Sequence, residues 1–194
     1  AKRNGWNASY IKAIIGFETG GSYATDQKNI YGSGATGLIQ FMPSTAKGMG
    51  TTTDKLAAMS QKDQILKVEE YLKKTPLAGM KDPSLSSMYM AVLYPKATTK
   101  GDDYKLFKKG STAYKQNIGL DPKIEGKRKG YITKGMATNK VRPYLPKKKG
   151  IAGKIKVNPI TSTALRPGAP KGGIKVNPIT SYAPRPGAPP TTYK

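Results

Sequence analysis

Apolar residues recur at helical spacing in three stretches of the first hundred residues. In YIKAIIGFE (10–18), Ile11, Ile14, Ile15 and Glu18 fall at i, i+3, i+4 and i+7, one face of a helix. Gly20-Gly21 then supply a helix stop. Ser60, with Asp63 three residues on, reads as a capping box opening SQKDQILKVEEYLKK, in which Ile65, Val68, Glu69 and Leu72 keep the spacing. A third helix is predicted in SLSSMYMAVLY, starting at Ser84 after Pro83, with Leu85, Met88 and Val92 on one face. Pro43 opens a short helix in PSTAKGMG. No series of alternating strands appears, and the Gly- and Asn-rich stretch 22–40 leaves room for at most a small β-hairpin. The pattern predicts a mainly α domain.

The pattern changes toward the C-terminus. GKIKVNPITSTALRPGAPK (153–171) and GGIKVNPITSYAPRPGAPP (172–190) match at 15 of 19 positions, each pairing a β-prone segment with a proline-rich one. Neither copy carries enough apolar area to offset its ordering entropy, and two copies are too few for a self-supporting solenoid. Residues 141–194 are therefore expected to be an extended, irregular arm that follows a domain at 1–140. Two like segments suit strand addition at two equivalent sheet edges of a partner, or two equivalent grooves.

Charge sharpens this division. The net charge is +23 over 194 residues, and all eleven acidic residues lie at or before Glu125. From residue 126 onward there are sixteen Lys and Arg and no carboxylate. Such a field favours polyanionic surfaces or an acidic protein partner. Nucleic acid is the weaker reading, because few aromatics interleave with the charges and no nucleic-acid-binding motif is present. The longest apolar stretches are a few residues, too short to span a membrane.

The chain has no His and no Cys. This removes Ser-His-Asp and Cys-His catalysis and the usual zinc sites, and leaves acid–base work to carboxylates, Lys or Tyr. Residues 32–37, GSGATG, spell GxGxxG, yet the approach ATDQKNIY is polar rather than an apolar strand, and Pro43 separates the loop from its helix. A dinucleotide loop needs the opposite on both counts. Glu18 stands where a fourth hydrophobe would complete an apolar stripe. Desolvation and the helix C-terminus both disfavour its charged form, the setting of a general acid at neutral pH. A glutamate that only snorkels outward at a helix end is the plainer alternative.

FETGGSY (17–23) and SGATGLIQFMPSTAKGMG (33–50) together resemble the first two motifs of the lytic transglycosylases with a goose-type-lysozyme-like fold. Glu18-Thr19 matches the Glu-Ser/Thr helix end of that family. Gly37-Leu38-Ile39-Gln40, leading into Met42-Pro-Ser-Thr-Ala46, matches its Gly-Leu-Met-Gln segment. The third family motif falls on YMAVLYPKA (89–97), which lacks the Asn and Gly of that motif and carries Tyr94. The resemblance implies a lysozyme-like fold with Glu18 as the catalytic acid and base. Thr19 would orient it, and Gly37, Leu38, Gln40 and Tyr94 would contact the glycan. The substrate implied is bacterial peptidoglycan, cleaved between N-acetylmuramic acid and N-acetylglucosamine with a 1,6-anhydro product and no cofactor.

The layout is similar to lysozyme-like proteins carried in bacteriophage virions. That likeness implies a place in the tail or baseplate, contacts with other virion proteins through residues 141–194, and action on the host wall. In several such proteins a calcium loop follows the core, and residues 117–137 resemble a decayed version. Lys123 stands where an oxygen ligand is wanted, a basic GKRKG insertion follows Glu125, and Met136 replaces the closing Glu, so no metal is expected. A structural tail subunit with a lysozyme fold and weak or no activity is the competing function.

Overall fold

The structure, a computed structural model, describes residues 4–29 and 32–147; the two repeats and the rest of the chain beyond Lys147 lie outside the described residues. About half of the described part is helical, with one small two-stranded antiparallel sheet. Seven α-helices follow in order: α1 Ala8–Glu18, α2 Pro43–Gly48, α3 Thr53–Ala57, α4 Gln61–Lys73, α5 Leu85–Leu93, α6 Thr112–Gln116 and α7 Lys134–Val141. Strands β1 Lys105–Lys108 and β2 Tyr131–Thr133 flank α6. Among the described residues no helix is long and apolar enough to cross a membrane.

The helix starts follow local chemistry. Asn7, Thr52, Ser60, Ser84, Ser111 and Thr133 each accept a hydrogen bond from a backbone N–H of the first turn they precede. The exception is α2, which has Pro43 in its first turn, where a missing N–H costs nothing. At Ser60 the capping is reciprocal: its hydroxyl accepts from Asp63 N at 3.2 Å and donates to the Asp63 carboxylate at 2.6 Å.

Helix α5 is the centre of the core. Leu85, Met88, Tyr89, Met90, Ala91 and Leu93 are all buried, which leaves it apolar nearly all round. Phe17 of α1 meets Tyr89 edge-on at 5.8 Å, and the Tyr71 hydroxyl of α4 donates to Ala91 O at 3.1 Å. Packing continues past residue 140, where Tyr144 sets its ring against Phe17 at 5.8 Å.

Two expectations are corrected. The only sheet among the described residues lies at 105–133, where Phe107 pairs with Ile132 and both point into the core. Among the described residues of 22–40, the pairings are isolated bridges at Lys28–Thr36 and Thr36–Phe41. Short strands escaped notice because KLFK and YIT are too brief to show alternation. On α4 the buried positions are Gln64, Val68 and Leu72, whereas Ile65 is 43% exposed. At Gln64, burial follows hydrogen bonding rather than hydropathy.

Immediately after β2, the Lys134 ammonium is buried and donates to Thr98 O at 2.9 Å and Lys100 O at 2.6 Å. Burial pushes its pKa below the usual lysine value. The carbonyls it holds belong to the turn after α5, so one side chain joins the hairpin to the central helix.

The segment before α1 is tied to α4 through Glu69, which accepts from Asn4 Nδ2 at 2.7 Å and pairs with Lys73 at 3.1 Å. The Asn4 bond first, then Lys73, lowers the Glu69 carboxyl from 4.5 to about 2. A carboxyl depressed by folding contributes stability in full above its unfolded value, and that contribution is lost as pH falls through the folded one. This contribution is therefore expected to disappear between pH 4.5 and about 2. Asn4→Ala is expected to raise the Glu69 pKa in a carboxyl-carbon NMR titration. A titration unchanged by the substitution would show that Asn4 does not hold the group.

Candidate active site

Helix α1 ends in a tight hydrogen-bonded stop. Gly21 N donates to Gly16 O at 2.7 Å and Gly20 N to Phe17 O at 3.2 Å, the paired bonds of a Schellman turn. The last helical residue is Glu18, 7% exposed, and the cap is Thr19, 3% exposed. The Thr19 hydroxyl donates to Ile15 O at 2.8 Å and accepts from Tyr23 N at 3.0 Å. It thereby folds the chain back over the helix end. Tyr23 adopts a left-handed backbone with φ 56°, and its ring lies on α1 where Gly16 has no side chain. A Cβ at Gly16 would come within 2.6 Å of the Tyr23 hydroxyl.

The second motif forms a tight reversal. Thr36 and Phe41 exchange backbone hydrogen bonds at 3.0 and 2.8 Å around Gly37-Leu38-Ile39-Gln40. Gln40 is left-handed (φ 53°), and its side-chain amide donates to Gly37 O at 3.1 Å and to Gln27 O at 3.0 Å. Strain of this kind in a non-glycine residue persists only where the surroundings over-determine it. Gln27 O also accepts Gly37 N at 2.8 Å.

The two motifs are joined by residues that sequence reasoning passed over. Ser22 Oγ bonds Thr19 O at 3.0 Å and Gln27 Oε1 at 3.2 Å. Ser22 Oγ, its one proton shared between these two acceptors, thus bridges the helix end at Thr19 to Gln27, whose backbone carbonyl holds Gly37 and Gln40. Behind the loop stands Gln64, fully buried, which accepts Leu38 N at 2.6 Å and donates to Leu56 O at 2.6 Å and Thr25 O at 3.0 Å. One turn earlier, Gln61 donates to Tyr23 O at 2.7 Å. The one sequence signal for Gln64 was its four-residue spacing from Val68 and Leu72.

Of the residues singled out in the sequence, Gly37 and Gln40 thus meet directly, and Thr19 connects to them through Ser22 and Gln27. Leu38 is buried, with its N–H given to Gln64. The side of Gly37 that lacks a side chain, a position the family resemblance implies would contact the glycan, is filled by Gln64: a Cβ there would lie 2.4 Å from Oε1. Tyr94 caps α5 and sets its ring edge-on to Phe107 at 5.7 Å, which gives it a packing role against β1. A cavity of about 310 Å³ opens nearby between α1 and α4, with Ile11, Ile15, Tyr23, Leu38, Ile65 and Val68 in its wall. Glu18 and Asp121 are the two buried carboxylates among the described residues.

Asp121 belongs to the segment that resembles a calcium loop, and its surroundings do not suit a divalent ion. Its carboxylate already accepts from Tyr114 OH at 2.7 Å, Lys129 N at 3.2 Å and Gly130 N at 2.9 Å. The Asp121 bond and burial together raise the Tyr114 phenol above its usual pKa. Gln116 Oε1 and Asn117 Oδ1 are buried acceptors with no hydrogen-bond partner; amide oxygens can ligate calcium, but these bring no negative charge to offset an ion. Among the described residues no three His, Cys, Asp or Glu side chains form a group able to hold a metal.

No family model matches the chain, and no curated protein or solved structure matches it either.

The geometry makes Gly37 and Gln64 a coupled pair. Gln64→Leu would strand Leu38 N–H and two carbonyls, and is expected to cost about 2–5 kcal/mol in urea denaturation. Gly37→Ala meets both left-handed strain and the Gln64 amide, a loss of about 2–4 kcal/mol. In Gly37→Ala combined with Gln64→Ala the clash disappears, so the double variant should lose less than the sum of the two single ones. Strict additivity would contradict the contact.

Proposed function

We propose that this domain is a peptidoglycan lytic transglycosylase of lysozyme-like fold, carried in a bacteriophage tail or baseplate to open the host wall locally during infection. The observation that carries the reading is a buried carboxylate, Glu18, ending α1 on a turn hydrogen-bonded through to the Gly37–Gln40 loop. On this reading the Glu18 carboxyl starts the reaction protonated. The protonated carboxyl gives its proton to the glycosidic oxygen as the bond to the muramoyl C1 breaks. The carboxylate left behind takes the proton of the muramoyl 6-hydroxyl, whose oxygen bonds C1 and closes the 1,6-anhydro ring. One group serves as acid and then base, no water is consumed, and no cofactor is called for. Hydrolysing glycosidases usually use a second carboxylate flanking the bond, and hydrolysis at the same carboxyl is the alternative chemistry. Thr19 acts by fixing the helix end, and Gln40 by holding the loop that faces the glycan. Of residues 141–194, the first few pack on the domain through Tyr144, and the basic, repetitive part beyond Lys147 is assigned to anchorage on other virion proteins.

A structural tail subunit with weak or no activity is the second reading. Commitment of the Leu38 N–H and the free side of Gly37 to Gln64 favours it, since neither is then offered to a sugar.

Glu18→Gln separates the two. With the fold intact by circular dichroism, wall solubilisation is expected to fall by about 100-fold or more, the worth of a general acid–base group. Wild-type activity no greater than that of the variant would favour the structural reading.

A further inference from the structure

Residues 118–130 are closed by a cation that belongs to the chain. Arg128 Nη1 donates to Ile118 O at 2.7 Å and also bonds Asp121 O. Ile124 and Lys127 exchange backbone hydrogen bonds at 2.9 and 3.0 Å around Glu125 (φ 50°) and Gly126 (φ 77°). Two successive left-handed residues define a type I′ reversal, in which Gly126 is the conformationally easy partner. The reversal turns the chain back so that Arg128 reaches the carbonyls of the turn after α6. The next two amides, Lys129 N and Gly130 N, then meet the Asp121 carboxylate. Gly130 O accepts Lys109 N at 2.7 Å, the bond that leads into the β1–β2 register.

We propose that the Arg128 guanidinium is the structural cation of this loop, in the role a divalent ion fills in the calcium loops it resembles, and that its closure is independent of metal. Backbone carbonyls drawn toward one positive centre are what a calcium loop offers its ion, and here a guanidinium takes two of them through charge-assisted bonds. The local charge points the same way. Residues 121–130 hold Lys123, Lys127, Arg128 and Lys129 against Asp121 and Glu125, a net charge of 4 − 2 = +2 before any ion arrives. Asp121 Oδ2 already accepts Tyr114 OH and Gly130 N, and Oδ1 accepts Lys129 N, so a metal here would compete with bonds that shape the approach to β2. The basic insertion that breaks the calcium pattern is thus the segment that supplies the substitute.

The test uses the full chain, with thermal unfolding and amide hydrogen exchange measured in excess EGTA and in excess calcium chloride. The wild-type Tm is expected to be the same in both. Arg128→Gln should lower it by about 3–10 °C in both conditions, and should speed exchange at Lys129 and Gly130 by about tenfold or more. Arg128→Lys, which keeps the charge without the fork, should fall between. A saturable rise of the wild-type Tm with calcium would overturn the proposal. So would an Arg128→Gln variant with unchanged exchange at Lys129 and Gly130, whatever its Tm.

Discussion

A primary amide removed from water has to find partners for its oxygen and its nitrogen, or its burial costs more than most side chains can recover. Gln64 meets that demand with bonds to three separate segments: Leu38 N in the second motif, Thr25 O in the preceding loop and Leu56 O at the end of α3. Each of those segments is too short or too rich in turns to hold its own shape. The amide acts as their common fastener, and α4, which carries it, is in turn held to α5 through Tyr71 and to Phe41 by a ring contact at 6.0 Å. The left-handed glycine at 37 is the other half of the same device, since any side chain there would collide with the fastener.

The chain is short of carboxylates, with 11 against 34 basic residues, and this shapes how it stabilises itself. The ion pairs formed within one helix sit on α4, where Glu69 and Glu70 engage Lys67, Lys73 and Lys74. Exposed pairs of this kind contribute little. Elsewhere the cations turn to backbone carbonyls: Lys134 to Thr98 and Lys100, Arg128 to Ile118 and Asp121. Carbonyl oxygens at turns carry unsatisfied lone pairs, so a cation placed over two of them gains hydrogen bonds without needing an acidic partner.

What the sequence made legible was local. The capping residues Ser60 and Ser84, the glycine stop after Glu18 and the proline start at 43 are short-range rules, and the helices obey them. The burial of Glu18 on an otherwise apolar stripe was readable for the same reason. Long-range satisfaction was not: beyond the four-residue spacing of Gln64 from Val68 and Leu72, nothing in the α4 pattern favoured an amide over Ile65 for burial, because that depends on three backbone groups up to 39 residues away. The β1–β2 pair escaped because its partners are separated by α6 and the Arg128 loop. Within the candidate site, the connectors Ser22 and Gln27 were not legible, being polar residues in a loop that looks like any other.

The chemistry proposed here depends on one carboxyl working without water. Digestion of peptidoglycan in water enriched in oxygen-18 reads this directly, by mass spectrometry of the released fragments. If Glu18 gives its proton to the glycosidic oxygen and then takes that of the muramoyl 6-hydroxyl, the new muramoyl ends will be anhydro and free of the heavy isotope. New reducing ends carrying oxygen-18 would mean that water, not the 6-hydroxyl, attacks C1, and would contradict the single-carboxylate reaction.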